Sequence, residues 1–160
     1  MLVAQVIQII IIACVFLHIS SQREPHCDIV GFHHRLIPLE MFKDPNKTLD
    51  QLVQETHNLG FGTTDCAKPM IWARKHHKEY DAFIIYTDSE TNMHRIPPYV
   101  ALEKYREVMN IPTAKLIVVG MSSAYDFSIS RPDDMHMLDV VGFDPDTPEM
   151  ISEFLVGGLE

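Results

Sequence analysis

Two short apolar runs constrain this fold more than any other feature of the chain. They are Ala82-Phe83-Ile84-Ile85-Tyr86 and Lys115-Leu116-Ile117-Val118-Val119-Gly120. Each is short, rich in β-branched or aromatic residues and almost free of polar interruption, the pattern of a strand buried on both faces. A helical stretch opened by Pro97-Pro98 lies between them, with Val100, Ala101, Lys104, Tyr105 and Val108 along one face. Two strands joined through a helix pair in parallel, because parallel neighbours need a crossover. The sequence therefore predicts a layered α/β sheet.

The flanking segments fit that plan. Asp28-Ile29-Val30-Gly31-Phe32 predicts a short strand and Asp44-Pro45-Asn46-Lys47 a loop. Thr48 and Gln51 spell a capping box. The helix it opens has Leu49, Leu52, Val53, Thr56 and Leu59 on one face and ends at Gly60. Asp65 is expected to cap a second helix through about His77, with Pro69 in its first turn. Thr147 is expected to cap a last helix, with Pro148 first inside it and Gly157-Gly158 closing it.

Two polar loops carry the candidate chemistry. They are Gly62-Thr63-Thr64-Asp65 and Thr87-Asp88-Ser89-Glu90. The second follows the run ending at Tyr86, so Thr87 and Asp88 sit at a strand's carboxyl end, where open α/β sheets hold ligands. Hydroxyls and carboxylates are hard oxygen donors of the kind magnesium prefers. Each residue also has a plainer role. Asp65 serves a helix start, Asp88 suits a turn, and Glu90 suits a solvated surface.

The chain has 160 residues, enough for one domain with a sizeable core. Its formal net charge is −9 and its pI about 5.4, which argue against a broad phosphate-binding face and against DNA as a partner. The basic cluster Arg74-Lys75-His76-His77-Lys78 is short, is followed by Glu79 and Asp81, and reads as a solvated helix end. The three cysteines, Cys14, Cys27 and Cys66, are odd in number, lack metal spacing and fit a reducing compartment. Nine histidines include the pairs His33-His34 and His76-His77, but none has His-x-x-x-His spacing, so zinc is not indicated. No Gly-x-Ser-x-Gly, no assignable base beside Cys66 and no phosphate-cradling glycine loop point to an enzyme.

The amino terminus leaves alternatives open. Leu2 to Ile19 is apolar apart from Gln5, Gln8 and His18. Such a run suits a buried helix, a membrane span or a signal peptide. No Lys or Arg precedes Arg23 and no small-x-small cleavage site follows, which is unlike a signal peptide. Gln5 and Gln8, one turn apart, would give a helix one wet stripe.

Several runs, in order and closely spaced, carry a family resemblance. Gly62-Thr63-Thr64-Asp65-Cys66-Ala67-Lys68-Pro69-Met70-Ile71-Trp72-Ala73 and Asp81 through Thr91 resemble the von Willebrand factor A domain of the Ro ribonucleoprotein family. So do Ala101 through Arg106, Ile111-Pro112, Ala114 through Met121, Pro132-Asp133-Asp134, Met137-Leu138-Asp139 and Gly142-Phe143-Asp144. The resemblance extends from about Cys27 to the end.

The resemblance implies a Rossmann-like von Willebrand factor A domain, a mostly parallel sheet flanked by helices. Such domains hold a divalent ion through an Asp-x-Ser-x-Ser after the first strand, a Thr from a second loop and an Asp from a third. Thr64 matches the second-loop threonine and Asp88 the third-loop aspartate. No Asp-x-Ser-x-Ser precedes Thr64. The expectation is therefore a domain incomplete at its amino terminus, a truncated product without the first strand and its metal loop. Val3 to Ile19 then resembles the first helix. Residues 1–26 are read as that apolar helix, or as a membrane or signal segment, and 27–160 as the von Willebrand factor A-like domain.

The resemblance also implies what this piece does. In the family, small non-coding RNAs are bound by a ring of helical repeats that this chain lacks, so direct RNA binding by this fragment is not expected. The expected role is a non-enzymatic, cytoplasmic binding module with a partial magnesium site at Thr64 and Asp88. It would meet a protein partner through the metal-bearing sheet edge. The alternative is a membrane-anchored or secreted interaction module held by residues 2–19. A metal-dependent hydrolase would use the same oxygen ligands but has no visible general base.

Overall fold

The computed structural model describes residues 3–7, 17–19, 22, 26–32, 35–60, 64–87, 96–121, 129–142 and 144–157, with residues 3–7 in backbone only. Its strands are β1 (Val3–Ile7), β2 (Cys27–Phe32), β3 (Leu36–Pro38), β4 (Ala82–Thr87), β5 (Lys115–Gly120) and β6 (Met137–Val141). Its helices are α1 (Leu49–Asn58), α2 (Lys68–Lys75), α3 (Pro98–Met109) and α4 (Thr147–Val156), with a 3-10 turn at Glu40–Lys43. The strands form one sheet in the order β3-β2-β1-β4-β5-β6. All neighbours are parallel except the short β2–β3 hairpin.

The main departure from the sequence reading is at the amino terminus. Val3–Ile7 is the central strand, not the start of a first helix. Val3 pairs with Cys27 on one side and Ala82 on the other, and the register continues to Ile7 opposite Gly31 and Tyr86. The sheet thus has a central strand, where the sequence reading expected the first strand to be missing. The physical reason is backbone pairing. A strand here finds hydrogen-bond partners on both sides, whereas a helix would orphan the facing edges of β2 and β4. Val3, Val6 and Ile7 are also β-branched, which favours strand over helix. Residues 17–19 are helical, and Leu17 is fully buried against the sheet. The remainder of the expected helix, residues 8–16, lies outside the described residues.

Side chains alternate across the sheet into two cores. Ile29, Ala82, Ile84, Tyr86, Ile117, Val119 and Val140 meet Leu52 of α1 and Ile151 and Phe154 of α4 on one face. Val30, Phe32, Phe83, Ile85, Leu116 and Val118 meet Met70 and Ala73 of α2 and Ala101, Leu102 and Tyr105 of α3 on the other. This two-sided cover is why β4 and β5 are apolar without alternation.

Local signals were mostly realised, with shifts at the ends. The capping box is present: Gln51 N–H donates to Thr48 Oγ1 at 3.3 Å, and Thr48 N–H donates to Gln51 Oε1 at 2.9 Å. Gly60 takes φ +60°, the left-handed turn that ends α1. Asp65 does not cap α2 directly. Its Oδ1 accepts from Ala67 N–H at 3.0 Å, closing a turn one step before the helix. The buried stripe of α3 is Pro98, Ala101, Leu102 and Tyr105, so Val108 faces solvent at 57% exposure. Asp146, not Thr147, occupies the α4 N-cap, and Pro148 falls one place further in.

Polar groups fasten the amino edge of the sheet. Tyr80 N–H donates to Tyr105 Oη at 2.5 Å, and the Tyr105 hydroxyl faces the carbonyls of Lys78 at 3.0 Å and Tyr80 at 3.2 Å. Tyr80 Oη donates to Asp28 Oδ2 at 2.9 Å. Burial foremost, with Asp28 beside it, pushes the Tyr80 hydroxyl far above its usual pKa. The Phe83 ring meets both tyrosines edge-on, at 5.6 Å and 4.9 Å. Arg106 Nε donates to Ala114 O at 2.9 Å while its guanidinium pairs with Asp134 at 2.6 Å. Lys115 Nζ donates to the Phe154 and Leu155 carbonyls at 2.6 and 3.0 Å, capping the end of α4.

The Tyr105 hydroxyl is the most exacting of these joints. Tyr105→Phe keeps the ring but leaves the buried Tyr80 N–H without its acceptor, which costs about 1–3 kcal/mol. Urea unfolding should show that loss with an unchanged m-value. A loss under about 0.5 kcal/mol would mean the bond is not holding the amino edge.

A candidate metal-binding edge of the sheet

Parallel pairing gathers the carboxyl ends of β1, β2, β4, β5 and β6 along one edge. They end at Ile7, Phe32, Thr87, Gly120 and Val141. Two backbone bonds extend the ladder there: Met121 N–H to Thr87 O and Gly142 N–H to Gly120 O, both 2.8 Å. The topology brings the first polar loop to the same edge. Strand β3 runs antiparallel to β2, so the chain leaves it at the amino edge, and β4 also begins there. Helices α1 and α2 lie between, one running up and one running down. The loop joining them, with Thr64 near its end, therefore turns at the carboxyl edge.

Thr64 is 1% exposed, and its Oγ1 makes no hydrogen bond among the described residues. The residues following it are fixed, since Cys66, Ala67, Met70 and Ala73 are buried in the core. A buried hydroxyl without a partner costs about 1–3 kcal/mol. Such a group is a hard oxygen donor held at the edge where ions bind. Thr87 ends β4 and is also 1% exposed. Asp88, the second expected ligand, lies outside the described residues together with Ser89 and Glu90. Thr64 thus fits one donor position. No group of three His, Cys, Asp or Glu side chains able to hold a metal occurs among the described residues.

A further motif escaped the sequence reading. Asp126-Phe127-Ser128-Ile129-Ser130 spells Asp-x-Ser-x-Ser, but after β5 and well beyond Thr64. Residues 126–128 lie outside the described residues. The last serine is already engaged: Ser130 Oγ donates to Asp139 Oδ1 at 2.8 Å. The Ile129 and Ser130 amides donate to Asp139 Oδ2 at 2.8 and 2.9 Å. Asp139 of β6 therefore uses this segment as a structural clasp. Its signal was the Asp in an otherwise apolar edge strand, Met137-Leu138-Asp139-Val140-Val141.

The basic cluster at the end of α2 is half-buried to exposed. There His76 Nδ1 lies 2.8 Å from Trp72 O and its ring stacks on Trp72 at 4.8 Å. His33 and His34 lie outside the described residues.

Residues 1–155 match the Ro60 vWA domain family. The chain belongs to that family. It is 41% identical over 143 residues to the RNA-binding protein RO60 of Caenorhabditis elegans, covering 89% of this chain and 22% of that protein. It is 40% identical over 139 residues to the RNA-binding protein RO60 of Deinococcus radiodurans, covering 87% and 25%. The chain thus spans about a quarter of the length of these curated relatives. The crystal structure of the Deinococcus radiodurans RO (RSR) protein superposes with TM-score 0.85 at 34% identity, over 99% of this chain and 34% of that one. Proximal thread matrix protein 1 of the mussel byssus shares the fold alone, with TM-score 0.53 at 14% identity over 98% of this chain and 45% of that one. The Ro60-type fold is therefore reached with Val3–Ile7 in the central position.

The orphaned hydroxyl makes a direct prediction. Without divalent ions, Thr64→Val removes an unsatisfied polar atom and should raise stability, by about 1 kcal/mol. Denaturant midpoints in chelator measure this. A clear destabilisation would show that Thr64 Oγ1 has a partner in the folded protein.

Proposed function

We propose that this chain is a non-enzymatic binding module of a Ro-type, RNA-binding ribonucleoprotein, and that it meets a protein partner at the carboxyl edge of its sheet. The observation that carries this reading is the buried Thr64 hydroxyl at that edge, which has no hydrogen-bond partner among the described residues. Thr64 and Asp88 would share one magnesium ion, whose remaining positions hold water or a partner's carboxylate. Two protein donors make a weak site, because magnesium gives up its waters reluctantly. The ion, when bound, bridges two oxygen-bearing surfaces.

The relatives are named RNA-binding proteins. For this chain, RNA belongs to the level of the whole family rather than to direct contact. Its net charge of −9 opposes phosphate binding, and its basic cluster sits at the end of α2, at the amino edge. A cytoplasmic setting follows the reducing environment that its few cysteines suit. The membrane-anchored alternative gains no support: no helix among the described residues is long and apolar enough to cross a membrane.

Magnesium titration followed by NMR tests the site. Saturable shifts near residues 64 and 87 are expected, with a dissociation constant on the order of 1 mM. Asp88→Ala should abolish them. Shifts that persist unchanged in Asp88→Ala, no saturable shift at all, or micromolar binding would each contradict the proposal.

A further inference from the structure

Helix α4 carries two stripes, and only one faces the sheet. Ile151 and Phe154 are buried, with Met150 and Leu155 packed beside them. On the outward side, Pro148, Glu149, Ser152, Glu153 and Val156 recur at the three- and four-residue spacing of one helix face, with Pro145 just before the helix. With Ile19 they line a groove of about 580 Å³. Its apolar members are aliphatic or proline, and Val156 is 83% exposed.

Among the described residues the charges of this stripe are unbalanced. Glu149 and Glu153 are one turn apart, and like charges at that spacing destabilise a helix. Glu153 also sits towards the carboxyl end of α4, where the helix dipole disfavours an anion. Neither has a basic partner among the described residues. Lys115, the cation at the end of α4, is spent on the Phe154 and Leu155 carbonyls. A cation supplied from outside would relieve both penalties at once. The groove is too large for a bare ion and has the size of an ordinary ligand cleft, about 300–1,000 Å³.

We propose that the α4 groove docks a basic amphipathic helix of a protein partner. An aliphatic side chain of the partner would rest on Ile19, Pro148 and Val156, while Lys or Arg residues one turn to either side meet Glu149 and Glu153. This is the helix-in-groove mode, with charge setting the register. It uses neither Thr64 nor Asp88, so it stands or falls apart from the carboxyl-edge site.

Fluorescence anisotropy with a labelled Lys/Leu amphipathic helical peptide tests it, using the full chain in magnesium-free buffer. Saturable binding is expected, weakening as salt rises. The double variant Glu149→Gln, Glu153→Gln should weaken binding about tenfold or more, the effect of roughly 1.4 kcal/mol. Val156→Ser should weaken it as well. The control pair Glu79→Gln, Glu107→Gln removes the same charge elsewhere and should leave affinity unchanged. Circular dichroism confirms that each variant is folded. The proposal is overturned by no binding, by an unchanged affinity in the α4 double variant, or by an equal loss in the control pair.

Discussion

The pairing of β1 with both β2 and β4 holds the rest of the structure together. Without it the sheet separates into a two-stranded β2–β3 hairpin and a three-stranded β4–β5–β6 ladder. A hairpin alone is marginal in water. Both cores also draw on both halves: Ile29 sits with Ile84 and Ile117 on one face, and Phe32 with Phe83 and Leu116 on the other. One strand must fill the gap of about 10 Å that two strand spacings leave between β2 and β4.

From that parallel centre the functional geometry follows. Parallel strands put their carboxyl ends on one edge, and the hairpin at β2–β3 forces an up-and-down helix pair before β4. That pair delivers Thr64 to the same edge as Thr87. Rigid burial of α2 then keeps the Thr64 hydroxyl in a place where no described residue answers it. The amino edge, by contrast, is tied by Tyr80, Tyr105, Asp28 and Arg106. Among the described residues the hydroxyls of Thr56 and Thr147 are also buried without a partner, and Thr64 stands apart from them by its place in the loop that the resemblance marks.

Much of this was legible in the residues, and the exceptions have physical causes. Strands β4 and β5 announced themselves because burial on both faces demands unbroken apolar runs. The α1 capping box was readable because its bonds are local. The rotated face of α3 was not, since Leu102 and Val108 are equally apolar and only packing against α2 and the sheet selects between them. The central strand was hidden for a deeper reason. Val3–Ile7 belongs to an apolar run with no breaker, and periodicity alone does not separate a buried strand from a buried helix. Its identity comes from strands far along the chain. Of the candidate site, the spacing and resemblance marked Thr64 and Asp88. That Thr64 is buried with no partner among the described residues is a tertiary fact, and so is the use of Ser130 by Asp139.

Membership of the Ro60 vWA domain family accounts for the fold and for the order of its loops. The central role of β1 is what most needs a direct measurement, and amide hydrogen exchange read at single residues supplies it. The amides of Val3–Ile7, a strand paired on both sides, should exchange as slowly as those of Ala82–Thr87, through global unfolding. Fast exchange across Val3–Ile7 beside a protected β4 would contradict a central β1.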